Sequence, residues 1–328
     1  MPAPRPEPLD LRSGVLAGDR RALARAITLI ESRRAEDREP AEKLLDALLP
    51  HTGRALRVGV SGVPGVGKST FLEALGTLLC DRGHRVAVLA IDPSSAISGG
   101  SILGDKTRME KLARHERAFV RPSPGGGMLG GVAAHTREAM LLCEAAGHDV
   151  VFVETIGVGQ SEHAVADLVD FFLLLVLTGA GDDLQGIKRG VLELADGIAV
   201  TKADGDNLAP ARATAQQIDG AMHILRGDDA VPVWTCSARS GEGIAALWDA
   251  IRARIAQHEH DGALATRRRR QDLIAFERAL DEVIRVRFLA DPSMRSRVDG
   301  LRQAVSEGRI PPARAARRAV DARDDGLS

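Results

Sequence analysis

Gly62, Gly67, Lys68 and Ser69 stand in the spacing G-x-x-x-x-G-K-S, which suits one chemistry, the holding of a polyphosphate. Glycines let successive backbone N–H groups turn inward toward an anion, and a helix starting at the lysine adds its positive end at the same point. Lys68 would reach the β- and γ-phosphates and the Ser69 hydroxyl would hold Mg2+. Nine consecutive residues are therefore candidates for the phosphate loop: Gly62, Val63, Pro64, Gly65, Val66, Gly67, Lys68, Ser69 and Thr70. The chemistry needs a strand before the loop and a helix after it. Leu56 to Val60 alternates like a strand entering a sheet, and the chain from Thr70 onward carries apolar residues at helical spacing.

Later strand-like runs end in polar residues that this chemistry would use. VAVLAID ends in Asp92, and the Gly- and Ser-rich segment after it carries Asp105. VVFVETIG carries Glu154, with Gly157 three residues on, the spacing at which a backbone amide would approach a γ-phosphate. A hard dication prefers oxygen ligands, so Ser69, Asp92, Asp105 and Glu154 form a candidate magnesium set. Hydrolysis needs positioning and charge neutralisation more than covalent help, which makes Lys68 the main stabiliser. Glu154 or an amide near Gly157 would position the water. GIAVTKAD then supplies Thr201-Lys202-x-Asp204, the form [N/T]-K-x-D. Its carboxylate would accept from guanine N1–H and the 2-amino group while the lysine stem packs on the purine. Adenine offers no such donor pair, so the expected nucleotides are GTP and GDP. Ser237-Ala238-Arg239 follows the last strand-like run, where a backbone amide would meet guanine O6.

The elements that must position these residues are legible in the apolar pattern. From Leu56 to about His258, seven strand-like runs (VGVSG, VAVLAID, AFVRPS, VVFVETIG, FFLLLVLT, GIAVTKAD and VPVWTCSA) alternate with helical stretches. This predicts an α/β fold of the P-loop NTPase kind, with a doubly wound, mostly parallel sheet and its site at the strands' carboxyl ends. Leu16, Leu23, Ile27, Ile30, Leu44, Leu45 and Leu48 predict two or three helices before it, and a polar helical segment from Thr266 to about Leu289 predicts a helical C-terminus. The expected segments are an N-terminal helical extension, 1–55, a nucleotide-binding domain, 56–261, and a C-terminal helical arm, 262–328.

Composition excludes several classes. Cys80, Cys143 and Cys236 are widely spaced, which supports neither a disulfide framework nor a zinc site. No apolar run approaches the ~20 residues of a membrane span, and Met1 to Pro8 is Pro-rich rather than signal-like, so the expectation is a cytoplasmic protein without a membrane partner. The net charge of −1 conceals an acidic middle and a basic tail that includes Arg267 to Arg270. Acidic residues at helical spacing (Asp272, Glu277, Asp281, Glu282) and few aromatics make that run a solvated helix face or a protein-contacting arm rather than a nucleic-acid site.

The motifs GVPGVGKST, DPSS with GGSILGDKTRM, RPSP with GGV, ETIGVGQSE and GAGDDLQGIKRG cover most of Val58 to Asp204. In these the chain resembles the MeaB/ArgK-like GTPases, G-protein chaperones of adenosylcobalamin-dependent acyl-CoA mutases. The resemblance implies a GTPase that gates cofactor loading onto a mutase and protects it from inactivation, and a homodimer formed through the C-terminal arm. It makes Asp92 and Asp105 switch I magnesium ligands, and Glu154 to Glu162 switch II. The stretch from about Leu177 to Lys188 becomes switch III, which relays nucleotide state to the mutase; Asp182, Gln185 and Lys188 are its test residues, and Lys188 joins Lys68, Glu154 and Gly157 as a catalytic candidate. Two departures stand out: Thr201 replaces the family's usual Asn, and Ala96-Ile97-Ser98 is less polar than in many relatives. No Gln follows Gly157, which predicts slow intrinsic hydrolysis accelerated by the partner.

Three other functions compete, one of them a pure scaffold, for which an intact Lys68, Ser69 and magnesium set would be superfluous. An amino-acid kinase would use the same phosphate loop but is disfavoured by the guanine-type Asp204. A metal-insertion GTPase would need a Cys/His cluster, and the nine histidines are scattered. The client is open among methylmalonyl-, ethylmalonyl-, isobutyryl- and 2-hydroxyisobutyryl-CoA mutases. Leu273, Phe276, Leu280 and Ile284 form an apolar stripe suited to a second copy of the chain.

Overall fold

The computed structural model describes residues 8–32, 34–91, 109–122, 129–155, 161–179 and 189–321. All seven strand-like runs form strands: β1 (Leu56–Gly62), β2 (Val86–Ile91), β3 (Ala118–Pro122), β4 (Val150–Thr155), β5 (Phe171–Val176), β6 (Gly197–Val200) and β7 (Val233–Thr235). They make one sheet in the order β3-β2-β4-β1-β5-β6-β7, with every pairing parallel. β1 is central, between β4 and β5, and is followed by the helix α4 (Lys68–Asp81), so the phosphate loop emerges at a site flanked by sheet on both sides. Such a crossing point, where successive strands go to opposite sides, is where ligands sit in doubly wound sheets.

Both faces of the sheet are covered, which is why its strands read as continuous apolar runs. On one face Val58 and Val60 meet Phe71, Leu72 and Leu75 of α4 and Trp248 of the helix Ile244–His260. On the other, Val151, Val153 and Phe172 share a core with Met140 and Leu142 of the helix Leu129–Ala145. Three N-terminal helices, α1 (Pro8–Leu16), α2 (Arg20–Ile30) and α3 (Ala35–Leu48), extend that second core through Leu23, Ile27, Ile30, Leu44 and Leu48. Asp19 caps α2 by accepting from the amides of Arg21 and Ala22, which fixes where the helix begins.

The chain divides into two compact units, Met1–Gln271 and Asp272–Ser328. In the second, the helices Pro292–Ser306 and Pro312–Val320 pack together, with Ile310, Ala315 and Ala319 buried. Within the same unit Leu273, Phe276, Leu280 and Ile284 are solvent-exposed, between 39% and 65%. The first nine residues of the long helix Ala263–Ala290 belong to the first unit. There Arg268 forms a fork on Asp170 (2.8 and 2.6 Å) and donates to Gly53 O and Ala55 O, while Arg267 forks on Asp196 (3.0 and 2.8 Å). Of the arginine run, Arg267 and Arg268 are thus turned onto carboxylates of the first unit, while Arg269 and Arg270 are exposed. Asp170 is fully buried at the foot of β5, also accepts from the Arg57 amide, and needs a counter-ion, which Arg268 supplies.

Candidate nucleotide site

Gly62 ends β1 with φ 153°, and a Cβ there would lie 2.5 Å from Leu175 O on the neighbouring strand. Gly67, at φ 97°, is the left-handed N-cap from which α4 starts. Between them the chain makes its turn, and Lys68 folds back over it. The buried Lys68 donates from Nζ to Gly62 O (2.7 Å) and Val63 O (3.3 Å), so its ammonium sits against the loop that precedes its own helix.

β4 lies beside β1 with Val60 opposite Glu154. That register brings the Glu154 carboxylate to the start of α4, where the Ser69 hydroxyl donates to Glu154 Oε1 at 3.0 Å. One residue further along each strand, Thr155 Oγ1 donates to Ser61 Oγ at 2.9 Å, both fully buried, and ties the two strand ends together. Among the described residues no group of three or more His, Cys, Asp or Glu could hold a metal. A hydroxyl and a carboxylate in contact nevertheless fit Mg2+, which takes one or two protein oxygens and completes its shell with phosphate and water. Asp92, Asp105, Gly157, Asp182, Gln185 and Lys188 lie outside the described residues.

A cavity of about 620 Å3 opens beside the loop. Its walls come from three strand ends. Val66, Gly67, Thr70 and Phe71 follow β1; Thr201, Lys202 and Asp204 follow β6; Cys236, Ser237, Ala238 and Arg239 follow β7. Val63, Pro64, Gly65, Lys68, Ser69 and Glu154 are outside this lining. Thr201 and Lys202 join the turn after β6 to the phosphate loop: Thr201 Oγ1 donates to Val66 O (2.8 Å), and Lys202 Nζ donates to Gly65 O (2.9 Å). The Ser237 amide is used on Glu242 O at 2.9 Å. Burial pushes the Cys236 thiol up to about 12, so it serves as a neutral wall of the cavity. Sequence reasoning overlooked Asp206 and Asn207, which also line the cavity; an N-cap asparagine just after the Asp204 motif was the available signal.

A phosphate loop feeding a helix at the centre of a parallel sheet, with a cavity beside it that Asp204 helps to line, defines the class: a P-loop nucleoside triphosphatase. A family model described as methylmalonyl-CoA mutase-associated GTPase MeaB matches residues 23–292. The chain is 55% identical over 237 residues to the GTPase ArgK of Escherichia coli, covering 71% of this chain and 72% of that one. It is 46% identical over 319 residues to the mouse methylmalonic aciduria type A homolog, mitochondrial, covering 93% and 77%. A solved structure described as an LAO/AO transport system kinase superposes with a TM-score of 0.75 at 38% identity, covering 95% of this chain and 96% of that chain. The chain belongs to the MeaB family, and it is a GTPase.

Proposed function

We propose that this GTPase is a magnesium-dependent switch that serves an adenosylcobalamin-dependent acyl-CoA mutase in the cytoplasm, gating cofactor loading and protecting the mutase from inactivation. The observation that carries the reading is the MeaB family match over residues 23–292, whose description names methylmalonyl-CoA mutase. The name of the mouse relative points to the same metabolism.

In this reading Asp204 accepts from the guanine edge, Lys202 packs beneath the ring, and the amides of Ala238 or Arg239 meet O6. Lys68 exchanges its loop carbonyls for the β- and γ-phosphates. Ser69 and Glu154 hold Mg2+, with Asp92 and Asp105 completing the set. The ion, when bound, would neutralise charge on the phosphates. Glu154 or the Gly157 amide orients the attacking water, and loss of the γ-phosphate releases the loops it held, which changes affinity for the partner. Asp182, Gln185 and Lys188 relay that change. The C-terminal arm forms the dimer through Leu273, Phe276, Leu280 and Ile284, all within the second unit, and their exposure supports the assignment.

The test is the GTPase rate with and without saturating methylmalonyl-CoA mutase, and then with the other three acyl-CoA mutases. Stimulation by one of them supports the reading, and an unchanged rate with all four overturns it. The dimer is tested separately: the double variant Phe276→Glu, Ile284→Glu should sediment as a monomer. A second reading, an amino-acid kinase, is favoured by the description of the 38% identical structure. Phosphoryl transfer to arginine or ornithine, preferring ATP over GTP, would establish it instead.

A further inference from the structure

Lys202 is the one non-glycine residue with a left-handed backbone among the described residues, at φ 58°. A lysine gains nothing locally from that conformation, so its surroundings must hold it. Its side chain is held by Gly65 O. Its own carbonyl accepts from Asn207 Nδ2 at 2.6 Å.

Asn207 stands at the N-cap of the helix Leu208–Arg226, where an asparagine side chain ordinarily accepts from the first amides of its helix. It makes no such bond. The side chain instead turns back to Lys202, while the Asn207 backbone N–H donates to Asp204 O at 3.1 Å. One residue therefore grips the carbonyls on both sides of Ala203, whose own amide is fixed on Cys236 O, just after β7, at 3.1 Å. Asn207 and Asp204 line the same cavity.

We infer that Asn207 is a positioning residue of the base-recognition turn: its side-chain amide locks Lys202 left-handed and thereby aims the Asp204 carboxylate at the base. The inference rests on the guanine reading of the cavity given above. A carbonyl only accepts, so the lock needs the amide donor, and an aspartate of the same shape cannot supply it.

The test compares the full-length wild type, Asn207→Ala and Asn207→Asp in steady-state kinetics with GTP and with ITP, which lacks the 2-amino group that Asp204 would bind. Losing the lock should raise KM for GTP about tenfold in both variants, the effect of one hydrogen bond, and lower kcat less than threefold. The preference for GTP over ITP should shrink by a similar factor. Wild-type values for Asn207→Asp would overturn the inference, since shape alone would then suffice. So would parallel losses of kcat and melting temperature with the GTP:ITP preference intact, which mark a structural role only. A wild type that takes GTP and ITP equally, and an Asp204→Asn variant that does the same, would sink the guanine reading and this inference with it.

Discussion

The Ser69 hydroxyl donates to Glu154 Oε1 at 3.0 Å, although the two residues are 85 positions apart. One lies in the first turn of the helix after β1 and the other nearly ends β4, and strand register together with the turn of the phosphate loop brings them together. Removing either oxygen should halt hydrolysis more than nucleotide binding. For Ser69→Ala and Glu154→Gln we expect kcat to fall roughly 10²-fold, as when one preorganised transition-state contact is lost. Titrating MgCl2 should show a weakened half-saturation in both variants. A wild-type Mg2+ dependence in Glu154→Gln would remove it from the metal set.

Thr201 carries one of the two side-chain bonds from the turn after β6 to the phosphate loop, and it is buried. Thr201→Ala leaves Val66 O without that donor, which should cost about 1–3 kcal/mol. The loss should appear in the melting temperature and as a higher KM for GTP. Thr201→Ser keeps the hydroxyl and should restore both.

Arg268 neutralises Asp170, whose side chain is fully buried. Arg268→Ala strands that carboxylate and should destabilise the fold by about 3–5 kcal/mol. The exposed Arg270 offers the control: its alanine variant should stay within about 0.5 kcal/mol of wild type in urea unfolding.

His148 gives the stability a pH signature. Burial pushes its imidazole down to about 4 from the ordinary 6.5, opposed by its Nδ1 bond to Cys143 O. Between these values the unfolded chain binds a proton that the folded chain does not, so unfolding free energy falls as pH falls. The contribution is complete above pH 6.5 and is lost by about pH 4, roughly 3 kcal/mol in all. Urea midpoints across that window should drop for wild type and less steeply for His148→Asn.

Much of this was legible in the chain. Strands buried on both faces write themselves as apolar runs, and so FFLLLVLT and VVFVETIG announced the sheet. The loop from Gly62 to Thr70 declared itself because its glycines serve backbone geometry. Contacts that depend on distant partners were not legible: Arg268 lies 98 positions from Asp170, and nothing near it distinguishes it from Arg270. The helix Pro292–Ser306 was also missed, because it buries no residue and so writes no apolar stripe into the sequence; Asp291, which caps it, and Pro292 at its first turn were the signals. Asn207 escaped for a related reason, since an N-cap asparagine reads as a helix signal and its diversion to Lys202 is visible only in three dimensions.

The ion pairs of Arg267 and Arg268 also decide where this chain can be divided. A cut at the turn around Gly262, which the sequence punctuates, would sever both counter-ions and the Gln271 bond to Val169 O from the sheet they serve. The natural seam lies inside an unbroken helix, after Gln271. A fragment or chimera joined before that point would inherit two orphaned carboxylates, and its failure to fold would say nothing about the arm it was built to remove.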